Sequence, residues 1–288
     1  MIEAIAIVVP AHNEAGTIGS IVTRCRNFGS FVLVVDDGST DGTGRIAIAA
    51  GGKVISLPQQ CGYGHALQLG FHQARQLGYE IVATLDGDGA HDPDFVPTLL
   101  DFHMTSHAEL TIGSRFLSSE TARSIPSPKV AANYFASHLI NSALGASFTD
   151  VASGMRMLGR AALELRCRVS HFGFAYEHLA AAFRRRLRIA ECSIPVRYNA
   201  ERLFCTNRHE LMDMLDAAAR IVNPTEAPLQ HTLGVLRENI SARAVLRVVA
   251  NGKYIVAHPV DEYDSYVFQF QEPCFVDRST AEKWIKLN

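Results

Sequence analysis

The chain has 288 residues, of which 48% are hydrophobic and 19% are charged, and its formal net charge at pH 7 is −2. This composition excludes an intrinsically disordered chain, because it contains enough apolar residues to build a sizeable core. An isoelectric point near 6.6 also argues against a general nucleic-acid-binding protein, which would carry a strong basic excess. The six cysteines have neither CxxC nor zinc-finger spacing, so we expect reduced thiols and a cytoplasmic location.

Short apolar runs alternate with segments of helical periodicity over the first 113 residues. The predicted strands are residues 4–10, 31–36, 53–57, 80–86 and 109–113. The predicted helices are residues 14–26, 39–51 and 65–78. Strand and helix alternating in this way predict an α/β fold with a doubly wound, mostly parallel sheet.

Polar and acidic residues recur where the predicted strands end. They are His12, Asn13 and Glu14 after the first strand, Asp36 and Asp37 at the end of the second, and Asp86 and Asp88 at the end of the fourth. The carboxyl ends of parallel strands meet at one edge of a sheet, where ligands of such folds bind. Neither GxGxxG nor GxxxxGK[ST] follows the first strand, so the glycine-rich phosphate loops of dinucleotide-binding and P-loop proteins are not expected.

The stretch LDGDGAH places two aspartates one residue apart, directly after an apolar strand. Asp-Gly pairs commonly form turns, so a solvated turn is one interpretation. In extended backbone, however, Asp86 and Asp88 point to the same side. Two carboxylates on one side suit a hard divalent cation such as Mg²⁺ or Mn²⁺, with coordination positions left open for phosphate oxygens.

The succession VVPAHNE, VVDDGSTDGT, CGYGHALQLGF, TLDGDGAHDP and IGSRF, followed by TDVASGMR, resembles the family-2 glycosyltransferases of the GT-A fold. The likeness is greatest to the polyprenyl-phosphate mannose or glucose synthases and covers residues 4 to about 202. It implies a Rossmann-like GT-A domain and metal-dependent transfer of a hexose from a nucleoside-diphosphate sugar, either a GDP- or a UDP-sugar. It also implies inversion at the anomeric carbon.

The resemblance assigns nucleotide-sugar contacts to individual positions. The first nucleotide-contacting loop matches Pro10, Ala11, Asn13 and Glu14. Asp37 matches the aspartate that reads the base and ribose, while Asp36 either does the same or caps the following turn. Gly64 matches the loop over the base.

The resemblance also assigns the metal and phosphate contacts. Asp86 and Asp88 match the metal-binding pair, with Asp88 as the direct ligand and a catalytic residue. Arg115, also expected to be catalytic, and Arg156 match arginines that face phosphate; a salt bridge to the acidic edge is the alternative for both. Arg202 matches an arginine of a flap that closes on the diphosphate.

Two departures from the family pattern bear on the chemistry. Ala90 stands where the branch has a glutamine, and His91 or Asp92 is the candidate to replace that metal contact. Glu177 and His178 stand where many soluble family members carry Glu-Asp, with the aspartate acting as base. A histidine can take that proton, so Glu177 and His178 are candidate catalytic residues; a pair on the helix surface is the alternative.

Two acceptors remain open. A lipid phosphate is already largely ionised at pH 7 and needs no base, whereas a soluble hydroxyl, on a glycan, an antibiotic or a small metabolite, needs one. A lipid acceptor would add peripheral association at the inner face of the membrane. The rival class is a non-catalytic nucleotide-sugar binder.

The chain divides into three predicted parts: a GT-A domain at 1–207, an amphipathic helix and linker at 208–234, and a small α+β appendage at 235–288. In the appendage, Asn251-Gly252 between apolar runs predicts a hairpin. The appendage matches no family motif. Its candidate roles are partner binding, homo-oligomer formation and protection of an edge strand. No apolar stretch approaches 18 residues, so we expect no membrane span.

Overall fold

The structure is a computed structural model. It describes residues 5–28, 31–118, 143–168 and 171–195, single positions or pairs between 121 and 141, and the backbone of four strands after residue 244.

Seven strands of the described chain form one sheet. They are β1 (Ala6–Ala11), β2 (Phe31–Asp36), β3 (Lys53–Ser56), β4 (Val82–Thr84), β5 (Leu110–Ser114), β6 (Arg156–Leu158) and β7 (Ile189–Ser193). Their order is β3-β2-β1-β4-β6-β5-β7, and β6 runs antiparallel to β4 and β5 while the other pairings are parallel. The predicted mostly parallel sheet is therefore confirmed.

Helices cover both faces of this sheet. They are α1 (Ile18–Arg26), α2 (Thr43–Ala49), α3 (Tyr63–Gln76), α4 (Val96–Ser106), α5 (Arg160–Leu163) and α6 (Phe174–Arg184). One core cluster joins the sheet to α3, α5 and α6, and the other joins it to α1, α2 and α4. This two-sided cover is the doubly wound arrangement predicted from the alternating pattern.

Strand β1 shows why its sequence is a continuous apolar run. Ala6 and Val8 enter the core on the α3 side, whereas Ile7 and Val9 enter the core on the α1 side. All four side chains have no solvent exposure. A central parallel strand is buried on both faces, so both sets of alternating positions are apolar.

Helix α3 connects the core to the sheet edge where the strands end. Leu67, Phe71 and Ala74 recur at helical spacing and are buried against the sheet. The residue before the helix, Gly62, has a φ of 104°, a conformation that strongly favours glycine. The helix therefore begins abruptly, and its first residue, Tyr63, lies at the edge of the sheet.

The C-terminal segment contains a second sheet. Its strands are β8 (Val245–Val248), β9 (Lys253–Pro259), β10 (Tyr266–Val267) and β11 (Val276–Asp277), and the other three pair antiparallel with β9. The antiparallel pairing of β8 with β9 agrees with the hairpin predicted around Asn251-Gly252. The predicted helix at 208–234 and the domain boundaries lie outside the described residues and stay predictions.

Within the described ranges, no helix combines the length and the apolar character needed to cross a membrane.

Candidate active site

A cleft opens at the carboxyl edge of the sheet, between β1 and β4. The chain leaves β1 toward β2 on one side, whereas β4 lies on the other side of β1. This reversal of strand order leaves a crevice outside the strand ends, which is where open α/β sheets bind ligands.

The cleft has a volume of about 310 Å³. Its walls come from the segments that follow β1, β2 and β4, from the start of α3, and from the loop before α6. The lining residues are Pro10, Ala11, His12, Glu14, Asp37, Gln60, Tyr63, Ala66, Asp86, Gly87, Asp88 and Phe172. The structure thus brings together six of the residues predicted from the sequence: Pro10, Ala11, Glu14, Asp37, Asp86 and Asp88.

Asp37 fastens the loop before α3 to the end of β2. Its Oδ1 accepts a hydrogen bond from the backbone N–H of Cys61 at 2.7 Å, and its Oδ2 accepts one from Gly62 at 2.8 Å. The carbonyl oxygen of Asp37 accepts a hydrogen bond from Nδ1 of His12 at 2.7 Å. Each carboxylate oxygen keeps a second lone pair, so Asp37 can order this loop and still accept a donor from a ligand.

Three predicted nucleotide contacts have structural roles beside the cleft and do not line it. Oδ1 of Asp36 accepts the backbone N–H of Ser39, so Asp36 caps the turn, the second of its two predicted roles. Oδ1 of Asn13 accepts the backbone N–H of Thr40, which ties the loop after β1 to the loop after β2. Gly64 is buried in the first turn of α3.

Asp86 and Asp88 lie in the cleft and carry the chemistry expected of a cation site. Asp88 Oδ1 accepts the backbone N–H of Ala90 at 2.9 Å, and Asp86 Oδ1 accepts the hydroxyl of Tyr63 at 3.1 Å. Burial raises the pKa of Asp86, and the neighbouring Asp88 carboxylate acts in the same direction. Two close carboxylates facing a polar cleft fit a hard divalent cation, although the described residues contain no preformed cluster of three or more His, Cys, Asp or Glu ligands.

The structure distinguishes His91 from Asp92, the two candidates to replace the metal contact that Ala90 does not provide. Asp92 forms an ion pair with Arg24 of α1. His91 is buried, with 2% exposure, and its Nδ1 lies 3.5 Å from Asp86 Oδ2. His91 therefore adjoins one member of the predicted metal-binding pair.

Gly154, in the predicted phosphate-facing motif, is a steric requirement of the same carboxylate. A Cβ at this position would lie 2.2 Å from Oδ2 of Asp86 and 2.3 Å from its Oδ1. The strand that begins at Arg156 therefore brings bare backbone against Asp86. Any side chain at 154 would push the carboxylate away.

Arg115 forms a salt bridge, which is the alternative to the phosphate-facing role predicted for it. Its Nε and Nη2 pair with the two carboxylate oxygens of Asp150 at 2.7 and 2.8 Å, in a forked geometry. The side chain of Asp150 is fully buried. The edge of the guanidinium that carries Nε and Nη2 is therefore committed within the protein, and the direct phosphate role assigned to Arg115 stays a prediction.

The structure does not support the phosphate-facing role assigned to Arg156. Arg156 is 5% exposed and does not line the cleft. Its Nε, Nη1 and Nη2 donate to the carbonyl oxygens of Ser153, Ala175 and Val151, at 3.0, 2.9 and 2.8 Å. The guanidinium is a structural donor that joins β6, its preceding loop and α6.

The structure does not support the general-base role assigned to His178 either, and it contradicts the alternative placement on the helix surface. His178 is 1% exposed, stacks on Phe174 and contacts Phe71. Its Nε2 donates to the carbonyl oxygen of Ala162 at 3.0 Å, and burial lowers its pKa to about 3. A neutral ring inside the core cannot reach an acceptor in the cleft.

Glu177 does not line the cleft either. Both of its carboxylate oxygens accept the backbone N–H of Arg168, at 3.1 and 3.0 Å. The structure therefore supports a loop-fastening role for Glu177, and the catalytic role assigned to it is not supported.

The buried histidines predict acid-sensitive stability. Burial lowers the pKa of His103 to about 4 and that of His178 to about 3, against 6.5 for an ordinary histidine. Below pH 6.5 the unfolded chain binds protons that the native state excludes, so stability is fully present above that pH and falls as pH decreases. Each ring contributes about 1.4 kcal/mol per pH unit in that range. Urea titrations at pH 7, 6 and 5 measure the slope.

A matched pair of variants isolates one ring. His178→Gln keeps an amide donor near Ala162 and should flatten the slope by about 1.4 kcal/mol per pH unit. His72→Gln on the exposed face of α3 should leave the slope unchanged. Equal slopes in wild type and His178→Gln would contradict a neutral, buried His178.

Four residues that line the cleft were not predicted from the sequence: Gln60, Tyr63, Ala66 and Phe172. His12 was placed at the strand ends by the sequence pattern, but no contact was assigned to it. Tyr63 carried a signal, because it is a large polar aromatic between two glycines in CGYGHA. Phe172 carried none. Arg202 of the predicted flap lies outside the described residues.

Comparisons with known proteins agree with this fold. The family model described as glycosyl transferase family 2 matches residues 6–166. Polyprenol monophosphomannose synthase of Mycolicibacterium smegmatis is 32% identical over 166 residues, which span 55% of this chain and 62% of that protein. A UDP-N-acetylglucosamine–dolichyl-phosphate N-acetylglucosaminyltransferase of Methanococcus voltae is 28% identical over 215 residues, spanning 67% of this chain and 86% of that protein.

A solved structure agrees at the level of the fold. Glucosyl-3-phosphoglycerate synthase of Mycobacterium tuberculosis, in complex with Mn²⁺, UDP and glucosyl-3-phosphoglycerate, superposes with a TM-score of 0.61 at 23% identity. The match covers 91% of this chain and 89% of that one. Since the family model covers more than half of the chain and the fold agrees, the chain belongs to glycosyl transferase family 2.

Proposed function

We propose that the chain transfers a sugar from a nucleoside-diphosphate sugar to a polyprenyl phosphate, with a divalent cation at Asp86 and Asp88 and with inversion at the anomeric carbon. The observation that carries the proposal is the cleft at the strand-order reversal, in which Asp37, Asp86 and Asp88 converge. Transfer assays with GDP- and UDP-sugars determine which nucleotide the donor carries.

The cleft suits a nucleoside diphosphate at two points. Asp37 and the loop that it fastens offer a carboxylate and backbone groups to a base and ribose. Asp86 and Asp88 lie across the same cleft, where the diphosphate would follow the ribose. Carboxylates repel phosphate, so a bridging cation is required for the two to lie together.

Asp86 and Asp88 would hold Mg²⁺ or Mn²⁺ in this account. When bound, the cation neutralises the charge that develops on the departing nucleoside diphosphate. The M. tuberculosis synthase, which has this fold, is known in one complex that contains Mn²⁺ and UDP and in another that contains Mg²⁺ and UDP.

The acceptor assignment rests on which residues reach the cleft. A hydroxyl acceptor must lose a proton, and the two side chains expected to take it, Glu177 and His178, are engaged elsewhere in the fold. A phosphate monoester is largely dianionic at pH 7 and attacks without a base. The names of the relatives from M. smegmatis and M. voltae, a polyprenol monophosphomannose synthase and a dolichyl-phosphate transferase, also favour a lipid phosphate.

The proposed reaction exchanges one bond at the anomeric carbon for another. An oxygen of the acceptor phosphate forms a new C–O bond on one face of the sugar. The C–O bond to the nucleoside diphosphate breaks on the opposite face, and the bonding electrons leave with the diphosphate. The protein positions donor and acceptor and needs no nucleophilic side chain of its own, because the acceptor is itself the nucleophile.

Transfer of radiolabelled sugar tests this function. Wild-type protein is incubated with GDP-mannose, UDP-glucose or UDP-N-acetylglucosamine, Mn²⁺ or Mg²⁺, and a polyprenyl phosphate in detergent or vesicles. We expect one donor to give an organic-soluble sugar phospholipid of inverted anomeric configuration. A product only with soluble hydroxyl acceptors would contradict the lipid-phosphate acceptor, and binding of a donor without any transfer would favour the non-catalytic alternative.

Replacement of Asp37 should act mainly on donor binding. Contacts to the base and ribose are the same before and during transfer, so Asp37→Asn should raise the donor KM roughly 10-fold and change kcat much less. The variant also weakens the hydrogen bonds from Cys61 and Gly62, which adds to the loss of affinity. Steady-state kinetics with varied donor check the split. An unchanged donor KM would move the nucleoside site away from Asp37.

A further inference from the structure

The two oxygens of the Asp86 carboxylate adjoin side chains from two different parts of the chain. The hydroxyl of Tyr63, from the first turn of α3, donates to Oδ1 at 3.1 Å. His91, three residues beyond the second aspartate, places Nδ1 3.5 Å from Oδ2. The bare backbone at Gly154 closes a third side. The side chain of Asp86 still keeps 29% of its surface exposed, on the side of the cleft.

The ring nitrogens of His91, Nδ1 and Nε2, make no hydrogen bond within the part of the chain that the structure describes. The ring itself is buried. A buried polar group without a partner is unfavourable, so each such group in a native protein needs an explanation, and a role at a catalytic or ion site is one. The Oδ2 of Asp86, 3.5 Å from Nδ1, is an acceptor that this nitrogen faces at slightly more than hydrogen-bond distance.

Tyr63 is fixed well enough to orient a partner. The positive φ of Gly62 starts α3 at this residue, and the Tyr63 ring packs on Phe172 with ring centroids 5.8 Å apart. Its hydroxyl can rotate but cannot move far, so it defines where Oδ1 of Asp86 lies.

We propose that Tyr63 and His91 are positioning residues that clamp Asp86, so that its carboxylate faces the cation and donor in one orientation before either binds. This inference rests on the proposed function, because it concerns how the chain prepares its cation site. Partners that orient a ligating carboxylate raise metal affinity, and their loss typically lowers it 10- to 100-fold.

Mn²⁺ binding in the presence of UDP or GDP tests the clamp without any turnover. Free Mn²⁺ is measured by electron paramagnetic resonance while the full chain, saturated with the nucleotide that the wild type binds, is titrated. We expect Tyr63→Phe to raise the Mn²⁺ Kd about 10-fold or more. Tyr79→Phe, a matched control in a tyrosine that stacks on Phe31 away from the cleft, should leave the Kd unchanged.

Two substitutions of His91 separate positioning from packing. The amide of asparagine overlies Nδ1 of histidine, whereas the amide of glutamine overlies Nε2. His91→Asn should therefore keep the Mn²⁺ Kd within about threefold of wild type, whereas His91→Gln should raise it about 10-fold. A purely structural role would lower the melting temperature in both variants and would not produce this difference in Kd.

The outcomes are distinguishable. Wild-type Mn²⁺ affinity in both Tyr63→Phe and His91→Gln would overturn the clamp while leaving the proposed function intact. Absence of nucleotide-dependent Mn²⁺ binding in the wild type would contradict the proposed function, and the clamp with it. If His91→Gln fails to fold, Tyr63→Phe and His91→Asn still decide the question.

Discussion

Asp88→Asn is expected to reduce sugar transfer roughly 100-fold or more while leaving the fold intact. The side chain lines the cleft, and its Oδ1 accepts the backbone N–H of Ala90, a hydrogen bond that an amide oxygen can also accept. A neutral amide is a poor ligand for a hard cation, and loss of the cation removes several kcal/mol of transition-state stabilisation. Each 1.36 kcal/mol corresponds to a factor of ten in rate. The kcat/KM for the donor, measured at several Mn²⁺ concentrations, gives the effect.

Asp94→Asn is the matched control. Asp94 lies six residues further along, its side chain is 62% exposed, and it pairs with Arg24 at the surface. It should retain wild-type turnover, since a surface ion pair contributes little to stability and none to the cleft. Wild-type turnover of Asp88→Asn at saturating Mn²⁺ would show that Asp88 is not the metal ligand.

Arg156→Ala is expected to destabilise the protein by roughly 3–5 kcal/mol. The substitution removes three buried hydrogen bonds from a guanidinium to backbone carbonyl oxygens, and hydrogen bonds of charged groups contribute about 1.5–3 kcal/mol each. For a domain of this size that corresponds to a fall in melting temperature of about 10 °C. The donor KM of the protein that remains folded, measured well below the melting temperature, should change little.

Arg160→Ala provides the comparison for Arg156. Arg160 begins α5, its side chain is 70% exposed, and its partners Glu80 and Glu164 are also on the surface. Its loss should change stability by no more than about 0.5 kcal/mol. If Arg156→Ala instead kept its melting temperature and raised the donor KM, Arg156 would contact phosphate as the motif alone suggested.

The strands that the sequence predicted well are those whose own residues determine them. The strands β1 to β5 are apolar runs, and each was placed within a few residues of its observed bounds. The strand β6 was missed, because it has only three residues, begins with an arginine and exists through its pairing with β4 and β5. Local pattern cannot report a pairing that connects residue 84 with residue 156.

The site residues also divide into those that the strand ends place and those that depend on how the chain packs. Asp37, Asp86 and Asp88 follow strand ends directly, so the topology alone carried them to the cleft. Arg156 and His178 lie away from the cleft, where the motif alone did not place them, because a motif fixes residue type but not side-chain direction, and the same groups also satisfy polar atoms in a core. Tyr63 was missed as a cleft residue because its contact with Asp86 depends on how α3 packs on the sheet.

The most direct test of the central claim, that this cleft binds a nucleoside-diphosphate sugar through a cation, is a thermal-shift panel. Wild type and Asp88→Asn are each heated with UDP-, GDP- and dTDP-sugars, with and without Mn²⁺. A ligand at 100 times its Kd adds about 2.7 kcal/mol, or roughly 5–10 °C for this chain. We predict that one class of donor stabilises the wild type only when Mn²⁺ is present and does not stabilise Asp88→Asn. No shift with any donor, or an equal shift without Mn²⁺ and in Asp88→Asn, would contradict the account.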